Sequence, residues 1–386
     1  MPDGRTEDQM HLPDLLISGF RGIANLQISR LGRVTLLTGR NSVGKTTVLE
    51  AVRVFASRGS HTELSSVLLN RGEHSLVTND DGKRHAVPNV PALFFGRRIA
   101  GDGISIGSSG RFDIVNIREF APTAEQMSLF ARFVPESDGN GPELLLASIH
   151  GESRQILPFF FSPQGSAARR RYAGSAYTVR GIPRAALGDI DPDSGIDCVS
   201  LGPGLLTNYQ IARFWDTIAL TDDEDRAVEA LRLVLGSDVE RVAIVAEDDR
   251  FRTHGRSAIV RLQGEKHPVP LKSLGDGAVR LLSVALGLAN SVNGFLVMDE
   301  AENGIHHSAQ SRFWRMVLET AHRNNVQVLA TTHSWDCVRG FAHAANSLDN
   351  IEGTVVRIEK EGEEMWAVEY SEDDLRVVAE QGIEVR

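Results

Sequence analysis

Residues 34–55 have the sequence VTLLTGRNSVGKTTVLEAVRVF, which predicts a short buried strand, a glycine-bounded loop and a helix. Gly39, Gly44, Lys45 and Thr46 match the phosphate-loop pattern G-x-x-x-x-G-K-[ST] without a mismatch. The glycines allow a tight turn with inward-facing N–H groups, and the helix points its positive end at the same place. A chance glycine-rich turn is the alternative, but the apolar residues on both sides keep strand and helix spacing. We therefore predict a phosphate-binding loop.

The loop predicts a nucleotide and a divalent cation as ligands. We expect Lys45 to reach the terminal phosphates of ATP and the Thr46 hydroxyl to hold Mg²⁺. The residues expected to surround the phosphates are Gly39, Arg40, Asn41, Ser42, Val43, Gly44, Lys45, Thr46 and Thr47.

The composition excludes several classes of protein. The chain has 386 residues, of which 41% are apolar and 24% charged, as in ordinary globular proteins. No stretch approaches the roughly twenty apolar residues of a membrane span, and the polar, acidic N-terminus is unlike a secretory signal. Two cysteines without paired spacing disfavour a disulfide framework, so we expect a cytoplasmic protein without a membrane partner. A net charge of −10 disfavours indiscriminate coating of nucleic acid.

The order of the predicted elements indicates an α/β fold. Apolar strands alternate with helices near both ends, which favours a mixed or parallel sheet covered by helices, with a β-rich and helical lobe inserted between the two parts. We predict a flexible leader over 1–12, the first part of the nucleotide-binding core over 13–60, the inserted lobe over 61–240 and the second part of the core over 241–386. Besides the strand and helix of 34–55, the predicted strands are 15–20, 23–28, 111–120, 143–150, 154–161, 241–245, 257–262, 295–298, 326–330, 354–358 and 365–370. The predicted helices are 209–220, 221–236, 277–291, one whose buried face is Trp314, Val317, Leu318 and Ala321, and one from 371.

A second apolar strand, residues 295–298, ends in the paired acids Asp299 and Glu300. In a parallel sheet this strand end lies at the same edge as the phosphate loop. We expect Asp299 to share Mg²⁺ with Thr46 and Glu300 to act as the general base on the attacking water. Two solvated acids at the start of a loop are the alternative.

Two further motifs lie where a predicted strand ends or a predicted helix begins. His333 follows the apolar strand 326–330, where an imidazole is able to hydrogen-bond a terminal phosphate and sense its loss. Ser273, Gly275 and Asp276 begin a helix, where small residues and free N–H groups form an anion site. A plain polar strand end and a plain helix cap are the respective alternatives.

In this order the motifs resemble those of the ABC-class ATPases, the class of transporter ATPases, SMC and RecF-type proteins. Ser273 and Gly275 stand in the matching places of the signature motif LSGGQ. Asp299-Glu300 resembles the Walker B pair, and His333 resembles the switch histidine. The signature differs from the family pattern at Lys272, Leu274 and Asp276, and AENGIH (301–306) occupies the D-loop position with His306 where an Asp is usual.

A closer resemblance is to the OLD-type AAA-family ATPases. The similar stretches are LISGFRGIANLQI, LLTGRNSVGKTTVLEAV, PLKSLGDGAVRLLSVAL, LVMDEAENGIHHS, QVLATTHSWD and GIEVR. The resemblance implies a P-loop NTPase fold of the ABC type, with Lys45, Glu300 and His333 as catalytic residues. It also implies a homodimer or higher homo-oligomer, in which Ser273, Gly275 and Asp276 complete the ATP site of the partner.

The resemblance leaves the effector open. OLD nucleases carry a Toprim domain that needs a Glu and a later Asp-x-Asp, whereas the Asp-x-Asp spacing within 189–193 precedes the signature and indicates a solvated turn. We therefore expect a standalone ATPase in a phage-defence or toxin–antitoxin-like module, acting on a separate effector such as a Toprim nuclease.

The segment RRRYAGSAYTVRGIPR, residues 169–184, is a candidate patch for nucleic acid or a partner protein. Arginines bind phosphates and tyrosine rings stack on bases, but a solvated or inter-subunit loop is an equal alternative. The arginines are Arg169, Arg170, Arg171, Arg180 and Arg184. The rival functions are a RecF- or SMC-like DNA-maintenance ATPase, a transporter ATPase subunit, and a nucleotide-binding adaptor with little turnover.

Overall fold

The computed structural model describes residues 10–78, 84–99, 101–111, 113–121, 123–124, 144–159, 195–236, 238–246, 255–348, 351–370, 374 and 377. The strands are β1 (Leu15–Phe20), β2 (Ile23–Ile28), β3 (Val34–Thr38), β4 (His74–Thr78), β5 (Arg84–Pro88), β6 (Ile104–Ser108), β7 (Asp113–Glu119), β8 (Leu144–His150), β9 (Ser153–Phe159), β10 (Cys198–Leu201), β11 (Val239–Ala246), β12 (Arg256–Leu262), β13 (Val269–Pro270), β14 (Phe295–Met298), β15 (Gln327–Thr331), β16 (Gly353–Glu361) and β17 (Glu364–Tyr370). The α-helices are α1 (Lys45–Ala56), α2 (His61–Asn70), α3 (Asn208–Ile218), α4 (Asp222–Leu235), α5 (Asp276–Ala289), α6 (Gln310–Arg323) and α7 (Trp335–Ala345). Short 3₁₀ helices lie at Val90–Leu93, Phe95–Arg97, Leu271–Leu274 and His307–Ala309.

A central sheet carries the phosphate loop. Its order is β10-β14-β15-β3-β16-β17, in which β10 to β16 are parallel and β17 pairs antiparallel with β16 at the edge. Every residue of β3, β14 and β15 is buried, as expected for parallel strands covered on both faces. The predicted strand 295–298 has the same bounds in the structure, and the strand predicted at 326–330 is displaced by one residue.

The central sheet separates two hydrophobic cores. Successive side chains of a strand point to opposite faces, so Leu36 packs in one core and its neighbour Leu37 in the other. The first core contains residues of α5, α6 and α7, and the second contains residues of α1, α2 and the antiparallel strands β1, β2, β6 and β7. The α/β class, with a mainly parallel sheet between layers of secondary structure, is therefore confirmed.

The antiparallel lobe is a six-stranded sheet of order β2-β1-β6-β7-β8-β9. The strand pair predicted at 15–20 and 23–28 is confirmed with the same bounds, and it belongs to this sheet. Conversely β10, from the middle of the chain, belongs to the central sheet. The four-segment domain division stays a prediction, and these strands cross its boundaries because hydrogen-bond pairing does not follow chain order.

A smaller unit of α3, α4 and the sheet β11-β12-β13 packs beside α5. The spacing of Thr221 and Glu224 predicts a capping box at the start of α4, but it is not formed: the Thr221 hydroxyl accepts from the Asp223 N–H, and Glu224 accepts from the Leu220 N–H. The box occurs one helix earlier, between Thr207 and Gln210. Thr207 and Gln210 satisfy the same S/T-x-x-E/Q spacing, so the earlier box was visible in the sequence.

Several expectations fall outside the described residues, namely the arginine-rich segment 169–184, the Asp-x-Asp run 189–193 and nearly all of the helix predicted from 371. Helix α2 was not predicted. Within the described ranges, no helix combines the length and apolarity that crossing a membrane requires.

Candidate nucleotide site

The phosphate loop joins β3 to α1 and depends on glycine at both ends. Gly39 has a φ of 135° and Gly44 a φ of 107°, values that side chains rarely adopt. A Cβ at Gly39 would also lie 2.4 Å from the carbonyl oxygen of Ile358 in β16. The loop therefore packs directly on the neighbouring strand, with Gly44 as the N-cap residue of α1.

Lys45 begins α1 and is 5% exposed. Its ammonium donates to the carbonyl oxygens of Gly39 at 2.7 Å and Arg40 at 3.0 Å, so it lies inside the curve of the loop. Burial lowers the pKa of Lys45 to about 8, against the opposing effect of the nearby carboxylates Asp299, Glu302 and Glu300. A cation held at the loop in this way is suited to a phosphate ligand.

Asp299 connects the end of β14 to the phosphate loop. The Thr46 hydroxyl donates to both carboxylate oxygens, at 3.1 Å and 3.3 Å, across 253 positions of sequence. On the other side the Thr331 hydroxyl, from the end of β15, donates to Asp299 Oδ1 at 2.5 Å. Thr46 and Asp299 thus present two hard oxygen ligands side by side, the donor set that Mg²⁺ prefers.

Glu300 has an unusual backbone with a φ of 48°. Its N–H donates to the Thr331 hydroxyl at 2.9 Å, and its carbonyl accepts from the guanidinium of Arg280 at 3.0 Å. Its carboxylate accepts from the side-chain amide of Asn303 at 2.7 Å. A left-handed conformation at a non-glycine residue persists only where the surroundings fix it, and here Thr331 and Arg280 hold the N–H and the carbonyl.

His333 follows β15 and faces the phosphate loop. Its Nδ1 lies 3.3 Å from the Lys45 ammonium, and its backbone N–H donates to Glu302 Oε1 at 2.9 Å. The structure therefore brings Lys45, Thr46, Asp299 and His333 into one connected group at the carboxyl edge of β3, β14 and β15.

The signature residues lie on a separate surface. Ser273, Gly275 and Asp276 are exposed around the start of α5, where Gly275 has a φ of 95°. One turn further along α5, Arg280 is only 1% exposed and donates to the carbonyls of Gly202, Asp299 and Glu300. The accessible segment and the Asp299-Glu300 turn are thus joined by a buried cation.

Sequence reasoning missed several members of the group. Arg280 was detectable as the only charge within an otherwise apolar stretch of α5, and Glu302 as a third acid after the paired carboxylates. Thr331 and Asn303 carried no comparable signal, because their roles depend on strand register and on a turn. Within the described ranges no cluster of three or more His, Cys, Asp or Glu side chains that could hold a metal is found.

Comparison with known proteins gives a matching family model. The family model described as "AAA domain, putative AbiEii toxin, Type IV TA system" matches residues 217–336, a range that contains the signature segment, Asp299, Glu300 and His333. The phosphate loop lies before that range.

Three curated proteins are similar to the chain. "Uncharacterized protein MJECL11" of Methanocaldococcus jannaschii is 32% identical over 114 residues, which is 29% of this chain and 99% of that protein. "DNA replication and repair protein RecF" of Geobacter sulfurreducens is 32% identical over 140 residues, 35% of this chain and only 36% of that protein. An "ATP/GTP phosphatase" of Helicobacter pylori is 20% identical over 336 residues, 83% of this chain and 85% of that protein.

Solved structures with a partial likeness include an SMC head bound to the C-terminal winged-helix domain of ScpA, with a TM-score of 0.47 and 14% identity over 94% of this chain and 99% of that one. The SMC head domain of Thermotoga maritima has a TM-score of 0.42 and 15% sequence identity, over 94% of this chain and 100% of that one. From the family model and the archaeal relative, the chain carries an AAA-type P-loop ATPase domain and belongs to one family with the Methanocaldococcus protein.

Proposed function

We propose that the chain is a Mg²⁺-dependent ATPase that acts as an ATP-driven dimeric switch of the OLD type. The observation that carries the proposal is the double contact at the edge of the central sheet: Thr46 with Asp299, and Lys45 with His333. Residues more than 250 positions apart meet there, in the arrangement that phosphoryl transfer needs.

ATP and Mg²⁺ fit the residues present. The glycine-bounded loop leaves a concave backbone at the N-terminus of α1 for the phosphates, and Lys45 supplies a cation inside it. Thr46 and Asp299 would hold Mg²⁺, which when bound neutralises charge on the phosphate oxygens.

Glu300 is the proposed general base. Its carboxylate follows Asp299 directly, and its backbone is fixed by Thr331 and Arg280, so the side chain is carried by a rigid turn. A carboxylate in this location is able to accept a proton from a water attacking the terminal phosphate. His333 would hydrogen-bond that phosphate and respond to its loss.

The dimer is supported by the exposure of Ser273, Gly275 and Asp276. Residues of this kind bind anions at the start of a helix, and in the single chain they are exposed to solvent. In the proposed dimer they complete the ATP site of a second copy, so that ATP stabilises the closed pair and hydrolysis releases it.

Turnover is tested with Lys45→Ala and Glu300→Gln. Lys45→Ala should abolish ATP binding, whereas Glu300→Gln should bind ATP and lose at least about a hundredfold in kcat, the contribution of a general base. Glu265→Gln, in the exposed turn after β12, is the matched control and should turn over normally. Unchanged turnover by Glu300→Gln would mean that the base is misassigned or that the chain is an adaptor with little hydrolysis.

Shared sites are tested by mixing inactive variants. Lys45→Ala and Ser273→Arg subunits should recover part of the activity when combined, because one intact composite site forms between them. Absence of recovery at every ratio would contradict the dimeric arrangement.

The biological setting of the proposal is phage defence or a toxin–antitoxin-like module, with a separate effector. The family description, which names an AbiEii toxin and a type IV system, supports this setting. Purification of the tagged chain from its native host, with ATP and with the Glu300→Gln variant to hold the closed state, should recover the effector.

A DNA-maintenance ATPase is the second candidate, supported by the similarity to RecF. Gel shifts with DNA at several salt concentrations test it, because phosphate contacts give a steep salt dependence. Binding that requires ATP and disappears when Arg169, Arg170 and Arg171 are neutralised would favour this candidate.

A further inference from the structure

Asn303 lies between the proposed base and a loop of the central sheet. Its side-chain amide nitrogen is 2.7 Å from Glu300 Oε2 and 3.1 Å from the carbonyl oxygen of Pro203, in the loop after β10. Both neighbours are hydrogen-bond acceptors, so the side-chain amide donates one N–H to each of them.

We propose that Asn303 is the positioning residue for the Glu300 carboxylate and couples its orientation to the signature segment. The inference rests on the proposed function, since it concerns the base of that same site.

The backbone of the turn needs no help from this side chain. The Asn303 N–H donates to the Glu300 carbonyl at 3.1 Å, and Thr331 and Arg280 bind the Glu300 N–H and carbonyl. The rotatable part of Glu300 is its side chain, and among the described hydrogen bonds the one that restrains it comes from Asn303. Asn303 therefore selects the carboxylate orientation within a turn that is already fixed.

The same amide connects Glu300 to the loop after β10, which the signature helix also binds. Arg280 of α5 donates to the carbonyl of Gly202 at 2.7 Å, one residue before the carbonyl of Pro203 that Asn303 binds. A displacement of α5 thus reaches Asn303 through residues 202–203.

A second contact runs through the backbone. Gly277, in the first turn of α5, packs so closely on residue 304 that a Cβ there would lie 2.6 Å from the Gly304 carbonyl oxygen. Asn303 therefore lies between two contacts with α5, the helix that begins beside the exposed residues Ser273, Gly275 and Asp276. Engagement of those residues by a second copy would change the restraint on Glu300.

The test compares Asn303→Ala and Asn303→Asp. Alanine frees the carboxylate, so kcat should fall about ten- to a hundredfold while the Kd for ATP stays within about twofold. Aspartate is isosteric, but it offers Glu300 no N–H and sets a carboxylate against it. Its kcat should therefore fall at least as far as that of Asn303→Ala, again with the Kd for ATP within about twofold of the wild type.

The other charged groups of this cluster are Asp299, Glu302, Lys45 and Arg280, and they are the same in both variants. A loss of kcat in both variants with unchanged ATP affinity is thus attributable to residue 303. The matched control is Asn290→Asp at the far end of α5, whose amide also bridges two carbonyls, those of Phe214 and Leu286. It should lower stability and leave kcat unchanged.

The outcomes separate the two proposals. A wild-type chain that binds ATP without hydrolysing it contradicts the proposed function. An active wild type with normal kcat in either Asn303→Ala or Asn303→Asp contradicts the positioning role alone. Loss of ATP binding in both variants also contradicts it, because Asn303 would then support the scaffold rather than the base.

Discussion

The ammonium of Lys45 lies 3.3 Å from Nδ1 of His333, although 288 positions separate the two residues. Lysine has no acceptor, so the ammonium donates and Nδ1 accepts, which leaves the proton of the neutral ring on Nε2. The proposed phosphate-binding cation and the proposed phosphate sensor are therefore in direct contact.

The first prediction concerns the pH dependence of ATP binding. Burial lowers the pKa of Lys45 to about 8, and a bound triphosphate should raise it because opposite charge favours the ammonium. Binding then takes up protons above pH 8, so the Kd should rise with pH above 8 and be nearly flat below it. Calorimetry at constant Mg²⁺, in buffers of different ionisation enthalpy, measures this uptake. Lys45→Arg, which keeps its charge, should show neither effect, and equal uptake in both proteins would contradict the assignment.

The second prediction concerns Thr331, whose hydroxyl joins the two acids. Thr331→Val keeps the shape but removes the donor to Asp299 and the acceptor for the Glu300 N–H. The Glu300 N–H is then left without its acceptor, which should cost about 1–3 kcal/mol of unfolding free energy. Because Asp299 also loses its support, half-maximal turnover should need several times more Mg²⁺.

Thr35→Val is its matched control. Thr35 is also a buried threonine of the central sheet, and its hydroxyl accepts from the Gly32 N–H away from the site. It should lose stability with an unchanged Mg²⁺ requirement. If both variants shift the requirement equally, Thr331 has no special relation to Asp299.

The third prediction concerns the close packing of the phosphate loop. Gly39→Ala should combine a disfavoured backbone with the 2.4 Å approach to the Ile358 carbonyl, so both ATP affinity and melting temperature should fall. Gly72 has a φ of 68°, but a Cβ added there would meet no atom within 4 Å. Gly72→Ala should therefore cost only roughly 1–2 kcal/mol of backbone strain. Thermal unfolding and nucleotide titration of the pair distinguish the two costs. Equal behaviour would show that the contact with β16 does not hold the loop.

The fourth prediction concerns Arg280. Arg280→Met removes the donor to four carbonyl acceptors, two of them in the Asp299-Glu300 turn, and should cost at least about 2 kcal/mol of unfolding free energy. Arg232→Met, an exposed helix arginine that donates to the Val239 carbonyl, should cost less than about 1 kcal/mol. Urea unfolding of both variants measures the difference. A cost as small as that of Arg232→Met would exclude a structural link from α5 to the turn.

Much of the architecture was predictable because its causes are local. The glycine-bounded loop between an apolar strand and a helix appears in residues 34–55 alone, since tight turns and helix periodicity act over a few positions. The same holds for the strand before Asp299 and the hairpin near the end of the chain, whose observed strands are Gly353–Glu361 and Glu364–Tyr370.

The sequence by itself determined which residue types stand at the ends of the buried strands, and so the chemistry of Lys45, Asp299 and His333. Only the tertiary structure decided which atoms meet. Parallel register aligns Met298 of β14 with Ala330 of β15, so the residues that follow, Asp299 and Thr331, are neighbours and the Thr331 hydroxyl reaches Asp299. Register, turn geometry and the direction of the Asn303 amide arise from contacts between distant parts of the chain, which no local pattern encodes.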